Sequence, residues 1–132
     1  MRVIKFRGFH ADEHGGAVIK IDGKEIKGTW FYGDLHTDGP YINEHKVMPE
    51  TVGQLLTGCA DRNGREIFEG DILISNKKFA CSRRYQIVYS IKYAGYIGIR
   101  DEMHFVKFYN DTTDYTKSGN IFENPDLLEA EK

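Results

Sequence analysis

Chemistry requires side chains that ionise, coordinate or attack, and this sequence gathers several of them around residues 66–71. Glu66, Glu69 and Asp71 lie close enough along the chain to form a carboxylate cluster, suited to acid–base work or a divalent cation. Acid–base pairs also need a cleft and separated pKa values, which the spacing alone does not supply. A β-turn frame accounts for the same residues. Gly64 and Gly70 fall where turns need positive φ, Ile67 and Phe68 cover opposite faces of a short strand, and Asp71 accepts backbone N–H groups in its own turn. The turn frame is the favoured reading.

Histidines occur at positions 10, 14, 36, 45 and 104. His10 and His14 have the i, i+4 spacing of two ligands on one helix face. Gly8, Gly15 and Gly16 surround them and argue against a helix, so a loop or hairpin tip with solvated imidazoles is expected. The compact ligand spacing of a structural zinc site is missing. Cys59 precedes a turn, and Cys81 lies beside Arg83 and Arg84, whose charges lower a thiol pKa. Neither belongs to a C-x-x-C pair, and both are expected to be reduced thiols. No catalytic residue, cofactor site or metal site emerges.

The most suggestive stretch for binding is Lys77–Lys78–Phe79–Ala80–Cys81–Ser82–Arg83–Arg84–Tyr85. Its cations and interleaved rings suit a loop that holds phosphates while Phe79 or Tyr85 stacks on a base. The competing reading is a solvated hairpin tip, and the composition favours it. Eighteen Lys and Arg stand against twenty Asp and Glu, a net charge of -2, so no global basic field attracts nucleic acid. Gly95–Tyr96–Ile97–Gly98 lacks the strand-to-helix context of a phosphate-binding loop.

These residues need a scaffold, and 132 residues, 40% hydrophobic and 13% aromatic, suffice for one folded domain with a real core. Met1–His10 alternates charged with apolar residues and does not resemble a secretory signal, and no apolar run is long enough to cross a bilayer. The expected setting is the bacterial cytosol.

Period-two alternation dominates. In Arg2–Arg7, Ile4 and Phe6 share one face and Lys5 and Arg7 the other, as in a half-buried strand. Ala17–Ile21 and Lys24–Lys27 flank Asp22–Gly23, the strongest short hairpin signal, and Thr29–Tyr32 reads as a further short strand. His36–Pro49 reads as an irregular connection. Beyond it, Ile72–Ile74, Tyr85–Tyr89, Tyr93–Arg100 and His104–Tyr109 read as strands, and Asn124–Pro125–Asp126 opens a helical turn. The fold class is all-β: a small barrel or sandwich of short antiparallel strands with an irregular N-terminal lobe and a short C-terminal helical turn. It is a single domain over 1–132, with room for a lobe at 1–48 and a barrel-like part at 49–132.

Three blocks together resemble the YopX-like family of small phage and prophage proteins. They are Arg2–Arg7, Pro49–Ile74 (PETVGQLLTGCADRNGREIFEGDILI) and Gly119–Leu128 (GNIFENPDLL). The chain departs from the pattern at Cys59–Ala60, where Leu-Lys is expected, and at Gly8–Phe9–His10, where Ala-Trp-Asp is common. The resemblance implies a mainly-β fold, a phage setting and self-association, and carries over no catalytic residue.

The reading that follows is a non-enzymatic phage accessory protein, a homo-oligomer that also binds a host or phage protein, without a membrane partner. The alternative is a small nucleic-acid-binding barrel using Lys77, Lys78, Phe79, Arg83, Arg84 and Tyr85. A metal-dependent hydrolase on the Glu66–Asp71 turn comes last.

Overall fold

A computed structural model describes residues 5–36, 38–75, 84–100, 105–107, 112 and 114–129. Among them the strands are β1 (Phe6–Ala11), β2 (Ala17–Ile21), β3 (Lys24–Gly33), β4 (Leu35–His36), β5 (Tyr41–Ile42), β6 (His45–Lys46), β7 (Gly53–Ala60), β8 (Glu66–Phe68), β9 (Asp71–Ser75), β10 (Arg84–Ser90), β11 (Gly95–Ile99), β12 (Phe105–Lys107) and β13 (Tyr115–Asn120). A 3₁₀ turn at Pro49–Thr51 and the helical turn α1 (Asp126–Glu129) complete the inventory. The fold is all-β, as expected. One sheet has the order β2-β3-β1-β7-β8, a second β12-β11-β10-β9-β13, and β4-β5-β6 form a small third. All pairings are antiparallel and the sheets curl into a half-barrel. The first sheet joins strands from both sides of residue 48.

The Asp22–Gly23 hairpin forms as its residues dictate, with φ of 52° and 79° at the two turn positions. Gly64 and Gly70 also take positive φ, 78° and 92°. Lys24–Lys27 and Thr29–Tyr32 are not separate strands but one ten-residue strand, β3. Gly28 between them is not a break. It lets β1 close in, because a Cβ there would lie 2.1 Å from the His10 carbonyl oxygen.

The facing of β1 also departs from the simple alternation. Arg7 points inward with Phe9, while Phe6 is only half-buried. The reason is that β1 is central: β3 and β7 flank it, and Ile42 and Val47 lie over Gly8 on its other side. A strand covered on both faces no longer alternates in polarity. His10 accordingly sits in β1 rather than at a hairpin tip, while exposed His14 occupies the turn that follows. The segment 36–49 is less irregular than expected, since it contains β5, β6 and the end of β4.

The second sheet closes over a core of Leu56, Ile67, Leu73, Tyr85, Ile87 and Tyr115, with Cys59, Tyr96 and Val106 packed against it. Burying each large apolar side chain stabilises by about 1.5–3 kcal/mol. Asp61, just after β7, fastens this layer to β13. Its Oδ1 accepts the N–H groups of Asn63 and Arg65, both at 2.9 Å, which closes the turn. Its Oδ2 accepts Arg65 Nε at 3.0 Å and the Lys117 N–H at 2.9 Å. Burial alone would raise the Asp61 pKa. The N–H groups of Lys117 and Arg65, the Arg65 guanidinium and the Asn63 N–H outweigh it and hold the carboxyl below its ordinary 3.8.

A group with a depressed folded-state pKa contributes stability above its unfolded-state pKa and loses it as pH falls through the folded value. Asp61→Asn should therefore cost about 2 kcal/mol at neutral pH. The gap from wild type should narrow below about pH 4, as the wild-type carboxyl protonates. Urea unfolding across pH measures this, and a pH-independent gap would contradict it.

Candidate functional site

The carboxylates of the Glu66–Asp71 turn do not act together. Glu66 is exposed and pairs with Lys5 at 2.9 Å. Asp71 is fully buried, and its Oδ2 accepts the Phe68 N–H at 2.7 Å, the turn role read from the sequence. Its Oδ1 stands 2.7 Å from Arg7 Nη1, an ion pair with both side chains at 2% exposure or less. Lys117 Nζ lies 3.2 Å from the other Asp71 oxygen, and Arg7 Nη2 donates to the Glu69 carbonyl at 3.2 Å. The Arg7 guanidinium lies over the rings of Trp30 and Phe68, 5.0 and 5.2 Å from their centroids. This junction spans both sheets, and it absorbs the very carboxylate that a hydrolytic pair would need.

The histidines divide in the same way. His10 Nδ1 lies 2.7 Å from the Lys46 carbonyl, so that nitrogen carries the proton. The His45 ring stacks on Phe31 with centroids 3.8 Å apart. His14 and His36 are exposed, and His104 lies outside the described residues. Among the described residues, no three His, Cys, Asp or Glu side chains are grouped to hold a metal ion.

Of the basic loop, Lys77, Lys78, Phe79, Cys81 and Arg83 lie outside the described residues. Arg84 opens β10 and its Nη1 donates to the Leu127 carbonyl at 3.4 Å. Tyr85, expected as a stacking ring, is instead a core residue. It is buried with its edge against Tyr115, because odd-numbered residues of β10 face the core.

That alternation also creates the most prominent surface. Tyr85, Ile87 and Tyr89 share a face; the first two are buried, whereas Tyr89 is 51% exposed where the strand outruns the core. Tyr89 meets Tyr96 edge-on, with centroids 5.3 Å apart. Burial, then Glu69 and Tyr89, raise the Tyr96 pKa above its ordinary 10.0. The turn that follows is held by the Tyr93 N–H on Ser90 Oγ and leaves Ile91 90% exposed. On the sheet's other face, Phe105 of β12 stacks on Tyr93 at 5.2 Å, and Lys107 Nζ lies 4.2 Å from the Tyr93 ring centroid. Sequence reasoning missed this cluster, although Lys92–Tyr93 and Phe105–Val106–Lys107 repeat the cation–aromatic pattern it had found at Lys77–Tyr85.

Taken together, these features define a small curled antiparallel-β protein, stapled by a buried ion pair and bearing aromatic side chains around one sheet end. A family model described as YopX protein matches residues 5–129, and the chain belongs to the YopX family. Among solved structures, the crystal structure of protein EF1440 from Enterococcus faecalis is similar, with 22% sequence identity. The match covers 97% of this chain and 99% of that one, at a TM-score of 0.48. Comparison with curated proteins returns no match. Among the described residues, no helix is long and apolar enough to cross a membrane.

The Arg7–Asp71 junction makes a sharp prediction. Arg7→Met should cost about 3–5 kcal/mol, since it strands a buried carboxylate. Arg7→Met combined with Asp71→Leu should cost clearly less than the single change, because both charges leave the interior while half-buried Lys117 can turn to water. Urea midpoints of the three proteins decide it, and additive losses would refute the coupling.

Proposed function

We propose that the chain is a non-enzymatic binding protein that works as a homo-oligomer, assembling through the β12 edge and the β10–β11 tip. The observation that carries this reading is the exposure of Phe105 on the β12 edge of the second sheet and of Tyr89 and Ile91 at the β10–β11 tip. Phe105, at 42% exposure, lies on the outermost strand of that sheet among the described residues. An edge strand bearing apolar side chains is a template for pairing with another chain. An outer strand of the first sheet, β2, is less open, because the Lys20 N–H already donates to the Phe122 carbonyl at 2.8 Å. A symmetric dimer would bury the β12 edge and tip of both copies in one self-complementary patch. The resemblance to phage and prophage proteins makes a phage-borne accessory role in the bacterial cytosol the natural setting, with a host or phage protein as a further partner.

Single-stranded nucleic acid is the second reading, favoured by Lys92 and Lys107, whose ammonium groups lie 5.4 and 4.2 Å from the Tyr93 ring centroid. Cations beside a half-buried ring are the elements of a stacking platform, and the basic segment 77–84 precedes the rest of β10 in sequence.

Light scattering separates the two. The wild-type chain should behave as an oligomer, and Ile91→Glu with Phe105→Glu should yield folded monomers. A wild-type monomer at high concentration would refute assembly. Salt-sensitive binding of a labelled single strand, lost on Lys92→Glu with Lys107→Glu, would support the second reading.

A further inference from the structure

Between β3 and β13 lies a cleft of about 330 Å³ that the ion-pair junction backs and partly lines. Its walls include Arg7, Trp30, Arg65, Lys117, Ser118 and Glu123. We propose that this cleft binds a small polar molecule through an oxyanion group, phosphate or carboxylate, and that the site is independent of the β12 edge.

Hydrogen-bond donors are left over at this cleft. The Arg7 side chain is 2% exposed, and Nη1 and Nη2 are engaged by Asp71 and Glu69. Its Nε has no hydrogen-bond partner among the described residues, and neither has Asp71 Oδ1, which meets Arg7 Nη1 as an ion pair at 2.7 Å. A buried guanidinium N–H without an acceptor is costly, and native structures rarely leave one unsatisfied. Lys117 has three N–H donors. The Asp71 carboxylate and the Glu66 carbonyl at 3.4 Å take two of them. Arg65 uses Nε on Asp61 and Nη2 on Asp61 and the Lys117 carbonyl at 2.7 Å, leaving Nη1 without a partner among the described residues.

The three donors are also preorganised. Asp61 and Asp71 hold the cations from behind, so an incoming anion would not have to order long, free side chains. The lining residues named here carry three cations and a single carboxylate, Glu123, and that carboxylate already accepts the Trp30 indole N–H. With Asp61 and Asp71 included, three carboxylates match the three cations, so binding must come from the directed donors and should be modest and weaken with salt. The volume lies at the small end of ligand pockets and the lining is mostly polar, which suits a compact polar ligand rather than a drug-sized apolar one.

Trp30 is the only tryptophan in the chain and forms part of the wall, so its fluorescence reports the site directly. Pyrophosphate and citrate serve as probes of the two oxyanion types, titrated into the millimolar range against sodium chloride of matched ionic strength. At least one should change Trp30 emission saturably and raise the thermal midpoint. A response to pyrophosphate alone assigns the site to phosphate, to citrate alone to carboxylate, and to both to oxyanions generally. Ser118 is exposed on the rim, where its Oγ donates to the Ile72 carbonyl at 3.2 Å but takes no part in the Asp61 or Asp71 networks. Ser118→Glu should therefore weaken binding at least about tenfold through charge repulsion. Ser118→Ala, which loses the same hydrogen bond and a similar amount of urea stability, should leave binding near wild type. Arg65→Ala should also weaken it, with a stability loss because Asp61 loses a partner. Absence of any saturable response to both probes, or wild-type affinity in Ser118→Glu, would overturn the proposal.

Discussion

The contact between Arg7 and Asp71 is the constraint around which the rest of the molecule is arranged. Both side chains are almost wholly buried, one comes from the central strand of the first sheet, and the other opens β9 of the second. Taking two charges out of water is tolerable only when nearly every donor and acceptor is answered. The surroundings supply most of those answers, leaving Arg7 Nε over: Phe68 N–H and Lys117 for the carboxylate, the Glu69 carbonyl for the guanidinium, and the rings of Trp30 and Phe68 beside it. The Gly70 turn presents Asp71 to β1 and passes its own N–H to the Ile87 carbonyl, which ties the same corner to β10.

A buried pair of this kind contributes more to specificity than to net stability. Slipping β1 by one residue against its neighbours would bring Phe6 or Gly8 to the inner face and expose the cation that Asp71 requires. Asp61 repeats the device at a second corner, where its carboxylate fixes the β7–β8 turn and the Lys117 N–H together. The sheets are therefore registered against each other by two carboxylates, each meeting a different cation. Lys117 is common to both corners, giving its ammonium to Asp71 and its backbone N–H to Asp61.

What the sequence reveals, and what it conceals, follows from how local each cause is. The Asp22–Gly23 hairpin, the Gly64 and Gly70 turns and strands β9 to β11 depend on residues within a few positions of one another, and they are legible. Strand β13 (Tyr115–Thr116–Lys117–Ser118–Gly119–Asn120) has a polar, glycine-bearing sequence that pattern reading passes over; it is a strand because β9 and Asp61 hold it. Arg7 reads as an outward-facing cation in an alternating strand, and only a carboxylate 64 positions away makes its burial tolerable. The exposed rings escaped notice for the converse reason. Tyr85 and Tyr89 belong to the same alternating face, and whether a ring is core or surface depends on where the opposing layer ends.

That last distinction explains why aromatic content alone says little about activity here. The same residue type serves three purposes in one domain: Tyr85 and Tyr115 fill the core, Trp30 and Phe68 enclose a guanidinium, and Tyr89, Tyr93 and Phe105 remain at the end of a sheet. The first two uses are needed for folding whatever the protein binds. The third is needed less, because Ile91 is 90% exposed and Tyr89 half so. Residues that folding requires least, gathered there together with Lys92 and Lys107, are where selection for binding would leave its mark in a chain whose ionisable interior is already committed to holding its sheets together.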